Sequence, residues 1–290
     1  MSLPRLALLY RGHLDSCNYR CGYCPFALKP SSRSARARDE EALSKFVAWA
    51  AVEDTRALEI VFTPYGEALI WPAYQRAVVA LTQLRHVAQV TVQTNGSGSM
   101  GFVDECRGEK LSLWISFHPS DTTAHDFVGR VRALTERGVR ISVGVVATPD
   151  GLEVAEALRA SLPPTVSMWV NAMKPGGVYD DSKAARWARL DPGFVHERVR
   201  HPSAGRACST GWDTLSVDGD GTVRRCHFVR ERLGNLYEDG LGEILAERPC
   251  PRSACECWIG YVNLESLDLR RHYEPDALYA RRRLNVLPAR

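Results

Sequence analysis

The sequence predicts an α/β fold: an open, partial (β/α)6 barrel followed by a small domain built on a β-hairpin and irregular chain. Three observations predict it. Short apolar runs alternate with helical repeats six times before residue 190. The alternation then stops, and Gly, Pro and Cys become more frequent. Nine cysteines are present, and eight of them fall into two groups, one in each region.

The elements follow in order. Leu6 to Tyr10 is a strand. Lys29 to Arg38, rich in Ser, Ala and Arg, reads as an exposed loop before a helix over Asp39 to Val52, which places Leu43, Phe46, Val47 and Ala50 at helical spacing. Leu58 to Phe62 is a strand stopped by Pro64 and Gly66, and Ala73 to Leu84 is helical. Val90 to Gln93 is a strand ending at Asn95-Gly96, and Leu111 to Phe117 is another. Asp121 to Arg137 is a helix stopped by Gly138. Val139 to Val146, rich in β-branched residues, is a strand, and Leu152 to Leu162 is a helix ended by Pro163-Pro164. Val166 to Val170 is the sixth strand and Ser182 to Leu190 the last helix.

Alternation of this kind implies a parallel sheet with right-handed crossovers. Six strand–helix units are too few for the eightfold closure of a TIM barrel, so a TIM-like but open sheet is expected. Chemistry then belongs at the C-terminal ends of the strands. Beyond residue 200, Leu215 to Val217 and Thr222 to Cys226 flank Asp218-Gly219-Asp220-Gly221 and read as a hairpin. Residues 1–200 therefore form the barrel core and 201–290 a small second domain.

With 290 residues, 45% of them hydrophobic, the chain can bury a core without disulfides. The net charge of +3 is too near neutral to argue for nucleic acid or a membrane surface. Leu6 to Tyr10 is too short for a signal segment, and no run approaches the roughly 20 apolar residues that span a bilayer. Reduced thiols in a cytoplasmic protein are expected, serving metal binding or catalysis.

Cys17, Cys21 and Cys24 occupy one loop after the first strand. Three thiolates suit a metal that keeps one position open: a catalytic zinc, or a [4Fe–4S] cluster with one free iron. The segment Cys17-Asn18-Tyr19-Arg20-Cys21-Gly22-Tyr23-Cys24, with aromatic Tyr23 before the last cysteine, resembles the Cx3CxΦC signature of the radical S-adenosylmethionine (SAM) superfamily. The resemblance implies that the unique iron chelates SAM. The cluster's electron then cleaves SAM to methionine and a 5′-deoxyadenosyl radical that takes a hydrogen atom from the substrate. It also implies a flavodoxin- or ferredoxin-type electron donor.

The same resemblance assigns roles at the other strand ends. Tyr65-Gly66-Glu67-Ala68 is similar to the Gly-Gly-Glu motif that holds the SAM amino group, with Tyr65 for the first Gly and Ala68 for the usual Pro. Thr94-Asn95-Gly96 resembles a segment common in the family, while Ser116 and His118 stand where relatives contact SAM or face the substrate. The patch around Val145, from Val143 to Val146, takes the place of an apolar contact with adenine, and Asn171, between Trp169 and Met173, reaches adenine or substrate. Lys174, before Pro175-Gly176-Gly177, is a candidate anion clamp.

The second thiol group comprises Cys208, Cys226, Cys250, Cys255 and Cys257, with Gly221 four residues short of Cys226. It resembles the auxiliary-cluster domain (SPASM, or its shortened twitch form) of radical SAM enzymes. Five cysteines complete one four-thiolate [4Fe–4S] cluster but not two, and the sequence does not choose which four. A four-thiolate zinc site is the other reading. His227, directly after Cys226, stands where some relatives carry an Asp proposed to accept a proton; Asp213 and Arg206 are further substrate-facing candidates. Cys106 belongs to neither group and reads as a small buried residue. The arginines at 270–271 and 281–283 form either a docking face for an acidic electron donor or a solvated helix face.

The sequence thus predicts hydrogen abstraction from a small molecule or short peptide, since the barrel strand begins at Leu6 with no recognition domain before it. Oxidation assisted by the auxiliary cluster is the reaction expected. Epimerisation or carbon–sulfur or carbon–carbon bond formation on a peptide is the first rival. A zinc-binding interaction module is the second.

Overall fold

The computed structural model describes residues 3–24, 30–174, 177, 179–274 and 278–284. Lys29, Pro175 and Gly176 lie outside the described residues. Six parallel strands form in chain order: β1 (Arg5–Gly12), β2 (Ala57–Phe62), β3 (Val87–Thr94), β4 (Leu111–Ser116), β5 (Arg140–Ala147) and β6 (Ser167–Ala172). Helices α1 (Arg33–Val52), α2 (Pro72–Gln83), α3 (Ala124–Glu136), α4 (Leu152–Ser161) and α5 (Asp181–Leu190) lie between or after them. All six strands fall where the apolar runs placed them.

Two expectations are corrected. The first helix begins at Arg33, inside the stretch read as a loop. Ser32 caps it, its Oγ accepting from the Ala35 N–H at 3.1 Å. Arg and Ala are strong helix formers, and a helical turn with few apolar residues carries no periodic signal. The third unit has no α-helix. Its crossover is made of 3₁₀ turns over Gly101–Glu105 and Gly108–Lys110.

The C-terminal third contributes α6 (Phe194–Glu197), β7 (His201–Pro202), β8 (Thr214–Asp218), β9 (Thr222–Arg224), β10 (Arg232–Asn235), α7 (Leu241–Ile244), β11 (Ala254–Cys255) and α8 (Trp258–Tyr261). The β8–β9 hairpin forms as predicted. However, β8 pairs in parallel with β1, Leu8 opposite Leu215, so the hairpin extends the barrel sheet. The strand order is β10-β9-β8-β1-β2-β3-β4-β5-β6 in one nine-stranded sheet, and β7 pairs separately with β11.

Strand residues alternate between two cores. Leu6, Leu8, Tyr10, Ile60 and Val143 pack under the helices. Ala7, Leu9, Val61, Trp114 and Trp169 face the concave side, where Trp258, Tyr261, Leu264 and Tyr279 from the end of the chain cover them. Ser142 Oγ on β5 ties down this last segment by donating to the Ala280 carbonyl at 2.6 Å.

This plug corrects the reading of the C-terminal arginines. Arg281 is 2% exposed and its guanidinium lies 4.3, 4.5 and 5.3 Å from the rings of Trp169, Trp258 and Trp114. It also pairs with buried Glu197 at 3.4 Å. Arg283 pairs with buried Asp191, Arg282 with Glu274, and Arg270 with Asp213. The buried carboxylates of Glu197 and Asp191 need cations, and Arg281 and Arg283 supply them internally. Arg270, Arg281, Arg282 and Arg283 are committed to internal ion pairs, whereas Arg271 stays exposed beside Asp268.

Candidate active site

Backbone pairing holds the first thiol loop against the β2–α2 turn. Tyr65 N–H donates to the Leu14 carbonyl at 3.2 Å and Glu67 N–H to the Ser16 carbonyl at 3.0 Å. Only glycine fits between these pairs: a Cβ on Gly66 would lie 2.0 Å from the Ser16 oxygen. The loop that follows brings Cys17, Cys21 and Cys24 to one cleft, lined also by Gly66, Glu67, Asn95, Ser116 and His118. All stand at or just beyond the C-terminal ends of β1 to β4, as the strand-end rule requires.

Several polar groups act on the thiols. Tyr19 N–H and the Asn95 side-chain amide donate to Cys17 Sγ at 3.4 and 3.7 Å. Such donors tune the potential of a thiolate-bound cluster. Burial pushes the Cys21 thiol up to about 12, with the nearby Asp121 carboxylate adding to it. Burial also raises the Cys17 thiol. Soft thiol donors gathered in one cleft fit an iron–sulfur cluster, whose positive iron favours the thiolate form. His118 packs on the loop, Nδ1 lying 2.7 Å from Tyr23 Oη and 3.2 Å from Cys21 Sγ. Burial holds its imidazole down to about 4, so it is neutral near pH 7.

The Glu67 carboxylate is buried and already engaged. It accepts from Thr94 Oγ1 (2.6 Å), Asn95 N–H (2.5 Å) and Leu69 N–H (3.0 Å). Burial raises its pKa against these bonds. It therefore joins the β2 and β3 ends, and a bound ammonium would add a fourth partner. Ser97, through its N–H and hydroxyl, in turn fixes Asn95 Oδ1.

The remaining predicted residues are placed less uniformly. Val145 packs on the helix side of β5, where it lines a small pocket with Tyr23, Phe117 and Val146. Its neighbour Gly144 is fixed by packing, since a Cβ there would meet the Trp169 ring at 1.8 Å. Asn171 lies away from the thiol cleft, its Oδ1 accepting from Arg281 at 2.7 Å. Lys174 pairs with Glu197 at 3.3 Å and is no free clamp. Asp213 is at the opposite end of the sheet, before β8, paired with Arg270 at 2.6 Å and bonded through its carbonyl to Ala7 N–H at the start of β1. It therefore lies at the end of the sheet opposite the thiol cleft, at the N-terminal ends of β1 and β8. Arg206 is exposed, its carbonyl accepting from Cys250 N–H at 3.0 Å.

His227 is held on both ring nitrogens: Nδ1 is 2.5 Å from Ser216 Oγ and Nε2 is 3.4 Å from Thr63 Oγ1. Burial, then the Arg11 charge, lowers its pKa well below the usual imidazole value. Cys106 stands apart from both thiol groups and bonds to the Phe102 carbonyl at 3.5 Å.

Buried Arg225 organises the second thiol group, a role no sequence pattern announces. Its guanidinium donates to the carbonyls of Pro249 (2.6 Å), Arg248 (2.7 Å) and Thr210 (3.2 Å). These bonds draw together the segments carrying Cys208, Cys226 and Cys250. Burial raises the Cys226 thiol, and the adjacent Cys208 and Cys250 add to the effect. Cys255 is pushed up to about 12 by burial and then by Cys257, Cys226 and Cys208. Cys257 differs: after burial, the charges acting on it are those of Glu197, Lys174 and Arg11. Among the described residues, no three His, Cys, Asp or Glu side chains converge on a single-ion site.

Comparison with known proteins fits this arrangement. Residues 13–116 match the radical SAM superfamily model, and residues 208–264 match SPASM, an iron–sulfur cluster-binding domain. The chain thus carries a radical SAM domain and a SPASM domain. The first domain implies a [4Fe–4S] cluster and SAM, the second auxiliary iron–sulfur. Among solved structures, anSMEcpe with bound AdoMet superposes with a TM-score of 0.58 at 14% identity, over 83% of this chain and 77% of that one. Another anSMEcpe structure, with AdoMet and a peptide, gives 0.58 at 15% over 83% and 80%. SuiB from Streptococcus suis gives 0.54 at 13%, over 82% of this chain. The match covers 64% of SuiB. These likenesses concern the fold. No curated protein matches the sequence. Among the described residues, no helix is long and apolar enough to cross a membrane.

Proposed function

We propose that this enzyme, reduced by a flavodoxin- or ferredoxin-type donor, cleaves SAM and abstracts a hydrogen atom from a small-molecule or short-peptide substrate, which an auxiliary cluster then helps to oxidise. One observation carries the reading: Cys17, Cys21 and Cys24 share a single cleft with the Gly66-Glu67, Asn95, Ser116 and His118 strand ends. Bound there, the cluster and SAM supply the electron and the 5′-deoxyadenosyl radical. The chain's residues do the rest. Gly66 keeps the thiol loop seated, Asn95 bonds to Cys17, and His118, in contact with the Tyr23 hydroxyl, walls the cleft beside Cys21. The core spans 1–200 and the auxiliary region 201–290. His227, neutral and fixed by Ser216 and Thr63, has the ionisation state of a base for a proton released during substrate oxidation.

The anaerobically reconstituted protein, given a low-potential reductant and SAM, is expected to form methionine and 5′-deoxyadenosine and to carry about eight irons per chain. Two zincs and no deoxyadenosine would end the reading. Regeneration of SAM, or a product with no net loss of electrons, would remove the oxidation step.

Cys208, Cys226 and Cys250, whose segments Arg225 draws together, are proposed as auxiliary ligands, with Cys255, which the charges of Cys226 and Cys208 reach as well as that of Cys257, as the fourth. Cys255→Ser is expected to lower iron by about four per chain and Cys257→Ser to leave it unchanged. The reverse pattern would exchange their places.

A further inference from the structure

Three arginines, Arg225 and Arg281 buried and Arg11 partly buried, meet their hydrogen-bonding needs differently. Arg225 is surrounded by carbonyls. Arg281 has Asn171 and Glu197. Arg11, at the C-terminal end of β1, makes one hydrogen bond among the described residues, from Nη1 to the Thr63 carbonyl at 2.6 Å. Its Nε is buried without a partner, and among the described residues it forms no ion pair. Asp218, the carboxylate among the groups whose charge reaches it, is held by Arg224 at 3.0 Å.

The position of Arg11 gives that deficit a use. Its guanidinium lies over the ring of Tyr65, 4.5 Å from the centroid, and Tyr65 lines the SAM cleft. Thr63, which accepts from Arg11, also lies against His227, the residue after Cys226. Cys257 is near enough for its charge to act on Arg11. The guanidinium thus sits between the SAM cleft and the auxiliary thiols. A guanidinium cannot discharge itself, and one that is partly buried, with Nε shut off from solvent, is costly to leave unpaired.

We propose that Arg11 anchors a carboxylate of the substrate between the SAM cleft and the auxiliary thiols, so that the substrate class is a carboxylate-bearing small molecule or peptide. The planar fork accepts both oxygens of a carboxylate. One guanidinium balances one negative charge, which suits a carboxylate better than a phosphate, whose charge near pH 7 is about −1.5 to −2. The proposal rests on the radical SAM reading above and sharpens its substrate.

The test uses the reconstituted holoenzyme with saturating SAM and three probes: N-acetylglycine, its neutral amide N-acetylglycinamide, and inorganic phosphate. N-acetylglycine at roughly ten times its Kd is expected to raise the thermal midpoint by about 3 °C, the amide to leave it unmoved, and phosphate to act more weakly. Arg11→Gln should abolish the N-acetylglycine shift, and Arg11→Lys, which keeps the charge without the fork, should retain part of it. Equal shifts from acid and amide in the unsubstituted protein overturn the proposal with no variant needed. So does an undiminished shift in Arg11→Gln, or a larger effect from phosphate. A roughly tenfold loss of SAM affinity in Arg11→Gln would overturn it too, by assigning the guanidinium to SAM's own carboxylate. Failure of the unsubstituted protein to cleave SAM is a separate result that sinks the functional reading itself.

Discussion

Replacing Cys17, Cys21 and Cys24 together by alanine is expected to abolish reductive SAM cleavage while leaving the second thiol group loaded. The two groups have separate frameworks. The first is held by Leu14 and Ser16 pairing with Tyr65 and Glu67, the second by Arg225 and the Cys208, Cys226 and Cys250 segments. Iron should therefore fall from about eight to about four per chain, not to zero. Iron analysis and iron–sulfur absorbance under anaerobic conditions read the remaining cluster, and chromatography reads 5′-deoxyadenosine. Deoxyadenosine formed by the triple variant would refute the assignment of the three thiols. Complete loss of iron would refute the independence of the two sites.

Gly66→Ala is expected to have the next largest effect, although it adds a single methyl group. The new Cβ would stand 2.0 Å from the Ser16 carbonyl oxygen, 2.7 Å from its carbon and 2.8 Å from its nitrogen. No rotamer change relieves a clash with backbone, so the thiol loop or the β2–α2 turn must move. Overpacking typically costs about 1–3 kcal/mol, and spent on the SAM site this lowers affinity by roughly tenfold or more. Equilibrium binding of SAM to the reconstituted variant measures it. Ala68→Gly serves as a control, removing a methyl group from the same turn. Unchanged SAM affinity in Gly66→Ala would mean that the close approach of the two loops does not shape the site.

The site was legible in the sequence where its parts are local. The spacing of Cys17, Cys21 and Cys24 lies within eight residues. Gly66, Asn95 and His118 each follow an apolar run directly, so the strand-end rule found them. Glu67 was found, but its burial and its bonds to Thr94 and Asn95, across 27 and 28 residues, were not. Val145 illustrates the limit of a patch read without register. In a strand, successive side chains point to opposite faces, so Gly144 and Val145 cannot share one surface.

By itself the sequence determined the six-strand alternation, the β8–β9 hairpin and the division of thiols into an open group of three and a second group of five. Each is written in a short stretch, where hydrophobic period or ligand spacing acts on neighbouring residues. Only the tertiary structure decided that Arg225 draws the second-group segments together, that the hairpin continues the barrel sheet, and that Arg281 and Arg283 turn inward. The reason is sequence distance. Arg281 meets Asn171 across 110 residues and Ser142 meets Ala280 across 138. A guanidinium, whether buried and caged by tryptophans as Arg281 is or partly buried and short of partners as Arg11 is, looks like any other arginine until the fold chooses its surroundings.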